Sequence, residues 1–494
     1  MRFITRLFRY LATAVLGFLV GGLSLYIHSI RSGPPLEAWH NVELQEEFSL
    51  DSADEIESFE DYLALEDRLF AELDAKIYAK SVSKPELALV RYSAGSDADP
   101  RGFDVDWNRT FELPVEAPRG GVLLLHGMSD SPYSLRALGS SLHARGYWVI
   151  GLRLPGHGTV PSGLKTVIWE DMATAVFLAM DRLSTVAGSD SLHVIGYSTG
   201  APLALHYTLE SMKRPEVPEP TSLVLISPAV GISPAAAGAG WVQLLASVPG
   251  LGKLAWTQIL PEFDPFKYNS FALNAGEQVH RLTRRVAREI ASQAASDGLG
   301  DFPSTLVFLS TVDATVTVEA VIDNLLEPLG TDDHELVLFD INRNGVKSTL
   351  LVHDPGPLTI SLMNDTTLPF HLTIVGNVSA ESRLVGYRRK APFSASVTDT
   401  ALGVEWPVGV ISLSHVALTF PTDDPLYGVR PDDFDEALHL GDISFRGERG
   451  LLQIPDSWLL RIRHNPFYEF LEQRAHAWIE RDGRDTKHLQ SVAE

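Results

Sequence analysis

The 494-residue chain contains no cysteine. That absence excludes disulfides, thiolate nucleophiles, thiolate-ligated zinc and a lipid-modified N-terminal cysteine, and it leaves the redox compartment unmarked. Positive charge is scarce as well: the formal net charge is −23, which argues against nucleic acid as a partner and sets the bulk of the surface against anionic membranes. The 16 histidines include no H-x-x-x-H or H-E-x-x-H pair, so no metal site is expected, and nothing signals a cofactor. Repeats of 20 to 50 residues and low-complexity tracts are absent too, which removes solenoid and disordered classes. What remains is a chain with 45% hydrophobic residues, enough for a sizeable core in one large domain with insertions or in two smaller ones.

One uncharged run is long. Residues 10–27 carry no charged side chain and as a helix would extend about 27 Å, close to the thickness of a hydrocarbon core. Arg2, Arg6 and Arg9 precede the run and only Arg31 follows closely, so the positive-inside rule puts the N-terminus in the cytoplasm and the rest across the membrane. The bulky Tyr26-Ile27-His28-Ser29-Ile30 offers no small-x-small cleavage site, so an uncleaved signal anchor is expected rather than a cleaved signal peptide or a core helix. The catalytic part of such a protein is extracytoplasmic, periplasmic in a Gram-negative bacterium.

Beyond residues 1–31, the segment 32–84 reads as a juxtamembrane connection and an amphipathic helix, with Ile56, Phe59, Tyr62, Leu63, Leu69, Phe70, Leu73 and Ile77 at helical spacing. Leu87 to Tyr92 and Arg109 to Val115 suggest an entry hairpin. From there short apolar strands alternate with helical stretches: Val122 to Leu125, Ser134 to Arg145, Trp148 to Leu154, Trp169 to Val186 and Leu192 to Ile195. This alternation predicts an α/β fold with a mostly parallel central sheet and helices on both faces. The core then divides into 85–227, a cap insertion over 228–303, and 304–494 with an inserted segment around 343–405. The apolar stripe Phe467, Phe470, Leu471, Ala475 and Trp478 marks a C-terminal packing helix.

The strand ending at Ile195 runs into Gly196-Tyr197-Ser198-Thr199-Gly200. A sharp strand-to-helix turn puts its central serine in a strained conformation and crowds the positions two residues away, which glycine relieves. Ser198 is therefore the candidate nucleophile, and the Thr199 N–H is a donor for a developing oxyanion. A second donor comes from Leu123-Leu124-Leu125-His126-Gly127-Met128, where a strand ends and the Met128 N–H enters a loop.

Together with Arg153-Leu154-Pro155-Gly156-His157-Gly158, these motifs resemble α/β-hydrolases, most of all bacterial carboxylesterases, monoacylglycerol lipases and lysophospholipases, over about residues 85 to 320. The resemblance implies an α/β-hydrolase fold and a Ser–acid–His triad, with the acid after the strand that follows the cap and the histidine after the last strand. Asp313, just past the apolar Thr305 to Leu309, fits the acid; Asp301 fits less well, and the alternative role for Asp313 is a helix N-cap. For the base the choice is His415, expected at the end of a strand over Val408 to Ser414, or His353, which otherwise serves as a turn residue beside Asp354-Pro355-Gly356. His126 and His157 are expected to shape the structure rather than to titrate.

The expected activity is cleavage of carboxylic esters, lipid or small acyl, through an acyl-enzyme, by a membrane-anchored serine hydrolase. A peptidase or acyltransferase with the same triad is the alternative, as is a tethered binding protein that keeps the fold without turnover. The oligomeric state is open.

Overall fold

The computed structural model describes residues 33–81, 87–231, 251–296, 298–330, 333–430, 438–441, 451 and 462–491, with isolated positions between 6 and 22. Residues 10–27 lie largely outside the described residues. No helix among the described residues is long and apolar enough to cross a membrane.

The strands are β1 (Phe111–Leu113), β2 (Gly121–Leu125), β3 (Trp148–Leu152), β4 (Leu192–Tyr197), β5 (Ser222–Ile226), β6 (Trp256–Gln258), β7 (Phe271–Ala272), β8 (Ser304–Ser310), β9 (His334–Phe339), β10 (His371–Asn377), β11 (Leu384–Lys390) and β12 (Val397–Glu405). Ten of them form one sheet in the order β1-β3-β2-β4-β5-β8-β9-β10-β11-β12, and β6 and β7 pair separately. From β3 to β10 the neighbours are parallel, while β1, β11 and β12 close the two edges antiparallel.

The longer helices are α1 (Phe59–Lys76), α2 (Arg136–Ala144), α3 (Trp169–Ala187), α4 (Gly200–Ser211), α5 (Leu273–Ser296), α6 (Gly356–Asn364) and α7 (Tyr468–Ser491). Side chains along a strand alternate between faces, and the two faces bury different cores. Leu123, Val194, Leu225 and Val307 meet α1, α3, α4 and α5, whereas Leu124, Ile195, Val224 and Phe308 meet α2 and α7. Strands buried on both faces are what parallel pairing requires.

Helix α1 starts at a reciprocal cap in which the Asp61 N–H donates to Ser58 Oγ at 3.1 Å and the Ser58 N–H donates to Asp61 Oδ2 at 3.0 Å. Its apolar face is buried as its spacing predicts. One polar group on that face is committed to an ion pair: Glu66, with Glu47 from the preceding loop, pairs with Arg153 at 3.0 Å each. The Arg153 side chain is 1% exposed, and a buried guanidinium is tolerated only when paired and hydrogen-bonded. Burial still pushes the Glu66 carboxyl above its ordinary range, against the pull of Arg153. The segment ahead of the sheet thus fastens the turn after β3.

Two sequence expectations are corrected. Residues Leu87 to Tyr92 form turns rather than a strand, because Arg91 and Tyr92 point inward: Arg91 Nη2 donates to Asn108 Oδ1 and Gly158 O, and Tyr92 Oη donates to Thr159 O. Residues 408–414 carry no strand either.

After β9 the chain builds α6 and then β10 to β12, which lengthen the sheet beyond β9, and it returns beside the end of β9. Asn342 makes the closure: its N–H donates to Ile411 O at 2.7 Å and its Nδ2 donates to Val410 O at 2.8 Å. The segment expected as an insertion over 343–405 therefore extends the sheet and hands His415 back to the end of β9. Asn342→Ala removes the side-chain half of this closure, and an unfolding free energy lower by about 2 kcal/mol is expected from urea titration, together with a reduced kcat. An unchanged midpoint and kcat would show that the loop closes without it.

Candidate active site

The turn after β4 holds Ser198 at φ +52°, a left-handed conformation that costs a non-glycine residue energy and persists where the surroundings enforce it. Enforcement is visible: the Ser198 N–H donates to Ile226 O at 3.0 Å and the Ala229 N–H donates to Ser198 O at 3.1 Å. The flanking glycines are sterically required. A Cβ on Gly196 would stand 2.6 Å from Ala201 Cα, and one on Gly200 would land on the Leu125 carbonyl. Gly127 is equally tight, since a Cβ there would meet Asp130 Oδ2 at 2.7 Å and Ser198 Cβ at 3.0 Å.

Two distant segments converge on this turn. His415 Nε2 lies 2.9 Å from Ser198 Oγ, and His415 Nδ1 lies 2.7 Å from Asp313 Oδ2. The other oxygen of Asp313 accepts the N–H groups of Thr315 at 2.8 Å and Val316 at 3.0 Å, which fixes the carboxylate. Thr317, not Asp313, caps the following helical turn. His353 is exposed in a separate groove beside Asp313, so of the two histidines weighed it is His415 that meets Ser198. It stands there although the strand expected ahead of it does not form.

Met128 and Thr199 line the same cavity as Ser198, and among the described residues neither backbone N–H has a hydrogen-bond partner. Two uncommitted donors beside a hydroxyl hydrogen-bonded to imidazole form the arrangement that stabilises a tetrahedral oxyanion. The cavity measures 260 Å³, and its walls include Phe271, Val279 and Val416. The sequence reading missed Lys267, which lines it too and pairs with Asp130 at 2.5 Å. Asp130 stands in the His-Gly-Met motif loop, while Lys267 is a lone cation in a segment without strong periodicity.

His126 and His157 are held neutral. The Leu154 N–H donates to His126 Nε2 at 3.1 Å, so Nδ1 carries the proton and donates it to Gly127 O at 2.8 Å. Burial holds its pKa well below the ordinary histidine value, and that of His157 is lowered to about 4. Among the described residues one cluster, His206, Glu210 and Glu289, brings potential metal ligands within 4.8 Å of one another. There the Lys213 ammonium already pairs with both carboxylates.

Residues 116–340 match the family model described as serine aminopeptidase, S33. A thermostable monoacylglycerol lipase from Bacillus sp. (strain H-257) is 32% identical over 127 residues, which are 25% of this chain and 48% of the lipase. The chain thus spans about half the length of this curated relative. Among solved structures, a metagenome-derived lipolytic enzyme covers 47% of this chain and 87% of its own at 21% identity and a TM-score of 0.37. The monoacylglycerol lipase of Paleococcus ferrophilus covers 47% and 88% at 20% identity and a TM-score of 0.35. Over residues 116–340, and in its mostly parallel sheet, the chain is similar to α/β-hydrolases, a lipase among them.

Proposed function

We propose that the chain is a serine hydrolase that cleaves carboxylic esters of lipid or small acyl substrates. The observation that carries this reading is the unbroken hydrogen-bond chain from Ser198 through His415 to Asp313. Ser198 Oγ attacks the ester carbonyl while His415 Nε2 takes its proton; Asp313 keeps Nδ1 protonated and stabilises the imidazolium. The Met128 and Thr199 N–H groups receive the negative charge on the carbonyl oxygen, a contribution of about 3 kcal/mol per donor in comparable sites. His415 then gives the proton to the departing alkoxide, and water repeats the sequence on the acyl-enzyme.

The apolar walls suit an acyl chain, and the Lys267–Asp130 pair gives the cavity one polar flank. Residues 228–303 act as a cap in this reading, which is supported by the presence of Lys267, Phe271 and Val279 in the cavity wall. Residues 10–27 serve as a signal anchor that keeps the site outside the cytoplasm, a reading that rests on their length, lack of charge and flanking arginines.

The family model's description favours one second reading, an aminopeptidase using the same triad. A substrate panel separates the two. Hydrolysis of p-nitrophenyl butyrate and a monoacylglycerol at kcat/KM at least about 100-fold above that for aminoacyl p-nitroanilides is expected. The reverse preference makes the chain a peptidase.

A further inference from the structure

Helix α5 lines the catalytic cavity through Gly276 and Val279 and a second groove through the next turns. That groove measures 390 Å³. Its α5 wall presents Arg281, Arg284, Arg285 and Arg288, all exposed. Residues three, four and seven apart share one helix face, so four guanidinium groups stand side by side on a chain whose net charge is −23.

Their neighbours leave this charge only partly neutralised. Arg281 lies 3.5 Å from Glu170, and Arg285 lies 3.3 Å from Glu289. Arg288 Nε donates to the Arg284 carbonyl at 3.0 Å, and among the described residues neither Arg284 nor Arg288 has a carboxylate partner. A second observation is independent of the arginines. His280 lines the same groove, is 7% exposed, and both of its ring nitrogens lack a hydrogen-bond partner. A buried polar side chain left unpaired costs free energy, and native structures carry few of them.

We propose that this groove binds a phosphate group, with Arg284 and Arg288 as guanidinium forks and His280 as a third donor. Guanidinium geometry matches phosphate oxygens in pairs, which favours phosphate over a simple halide. Glu170 and Glu277 line the groove too and offset part of this charge, Glu170 through Arg281, while repulsion from acids more than about 8 Å away is screened at physiological salt. A free phosphate and the headgroup of an anionic phospholipid share this chemistry. The site is separate from the hydrolytic cavity and does not depend on the reaction proposed there.

The test uses the purified full-length chain and its Arg284→Gln/Arg288→Gln variant. Calorimetric titration with inorganic phosphate reports the free ion, and co-sedimentation with phosphatidylglycerol against phosphatidylcholine vesicles reports the headgroup. Phosphate binding weakened about 10-fold in the variant, or a phosphatidylglycerol preference lost in the variant, supports the site and identifies its source. Hydrolysis of soluble p-nitrophenyl butyrate stays at the wild-type rate in both proteins, which separates this result from failure of the triad and confirms that the variant is folded. Absence of phosphate binding and of a phosphatidylglycerol preference in the wild type, or equal binding by both proteins, overturns the proposal.

Discussion

Ser198→Ala is expected to lower kcat/KM for p-nitrophenyl butyrate by about 10⁴-fold or more, a loss of about 5.5 kcal/mol of transition-state stabilisation. The reason is local. The hydroxyl is the group hydrogen-bonded to His415 Nε2 at 2.9 Å, and with it goes the nucleophile of the proposed acyl-enzyme route. The oxyanion donors and the cavity survive the substitution, so substrate binding should change little and the residual rate should remain above that in water. The thermal midpoint should stay within about 2 °C, since one small side chain is exchanged for another on the same enforced backbone. A variant that keeps full activity, with contaminating esterase excluded, would place the chemistry elsewhere.

The second large effect separates two histidines. His415→Ala should match Ser198→Ala in its loss of about 10⁴-fold or more, because residues that act as one unit fail together. His353→Ala should stay within about 2-fold of the wild type, since His353 sits exposed in a groove that does not contain Ser198. Asp313→Asn is a finer probe. It keeps the shape of the side chain but removes the charge facing His415 Nδ1 at 2.7 Å, and an amide donor there favours the wrong imidazole tautomer. A fall of about 10⁴-fold is expected from that change alone. Comparable losses in His353→Ala and His415→Ala would show that the observed geometry is not the reacting one.

How much of this was legible in the sequence depends on whether the signal was local. The serine turn was, because the crowding at Gly196 comes from Ala201 within the same turn and the G-x-S-x-G spacing writes it into the chain, although Gly200 is confined by Leu125 at the distant end of β2. The strands β2, β4, β5 and β8 were also plain, since burial on both faces writes an apolar run into the chain. The base was harder. Between β9 and His415 lies an excursion whose closure rests on Asn342 meeting Val410 and Ile411, and no periodicity or spacing records a contact across such a distance. The apolar run before His415 suggested a strand, but its backbone finds partners such as Asn342 instead of a neighbouring strand.

Buried charge was illegible for the same reason. Arg153 was visible as part of a motif, whereas its partners Glu47 and Glu66 look in sequence like any two acids of an acidic chain. Lys267 gave no sign of reaching the cavity, because its partner Asp130 stands 137 positions away. Arg91 and Tyr92 show the converse failure. Their stretch has strand-like composition, yet it is consumed by side-chain anchors to Asn108, Gly158 and Thr159.

The most direct test of an activated serine at this site is labelling with a fluorophosphonate probe, mapped by peptide mass spectrometry in the wild type and in His415→Ala. Modification of the wild type on the peptide containing Ser198, with labelling lost or strongly slowed in His415→Ala, is the expected result. An unlabelled Ser198 in folded wild-type protein, or equal labelling rates in the two proteins, would contradict it.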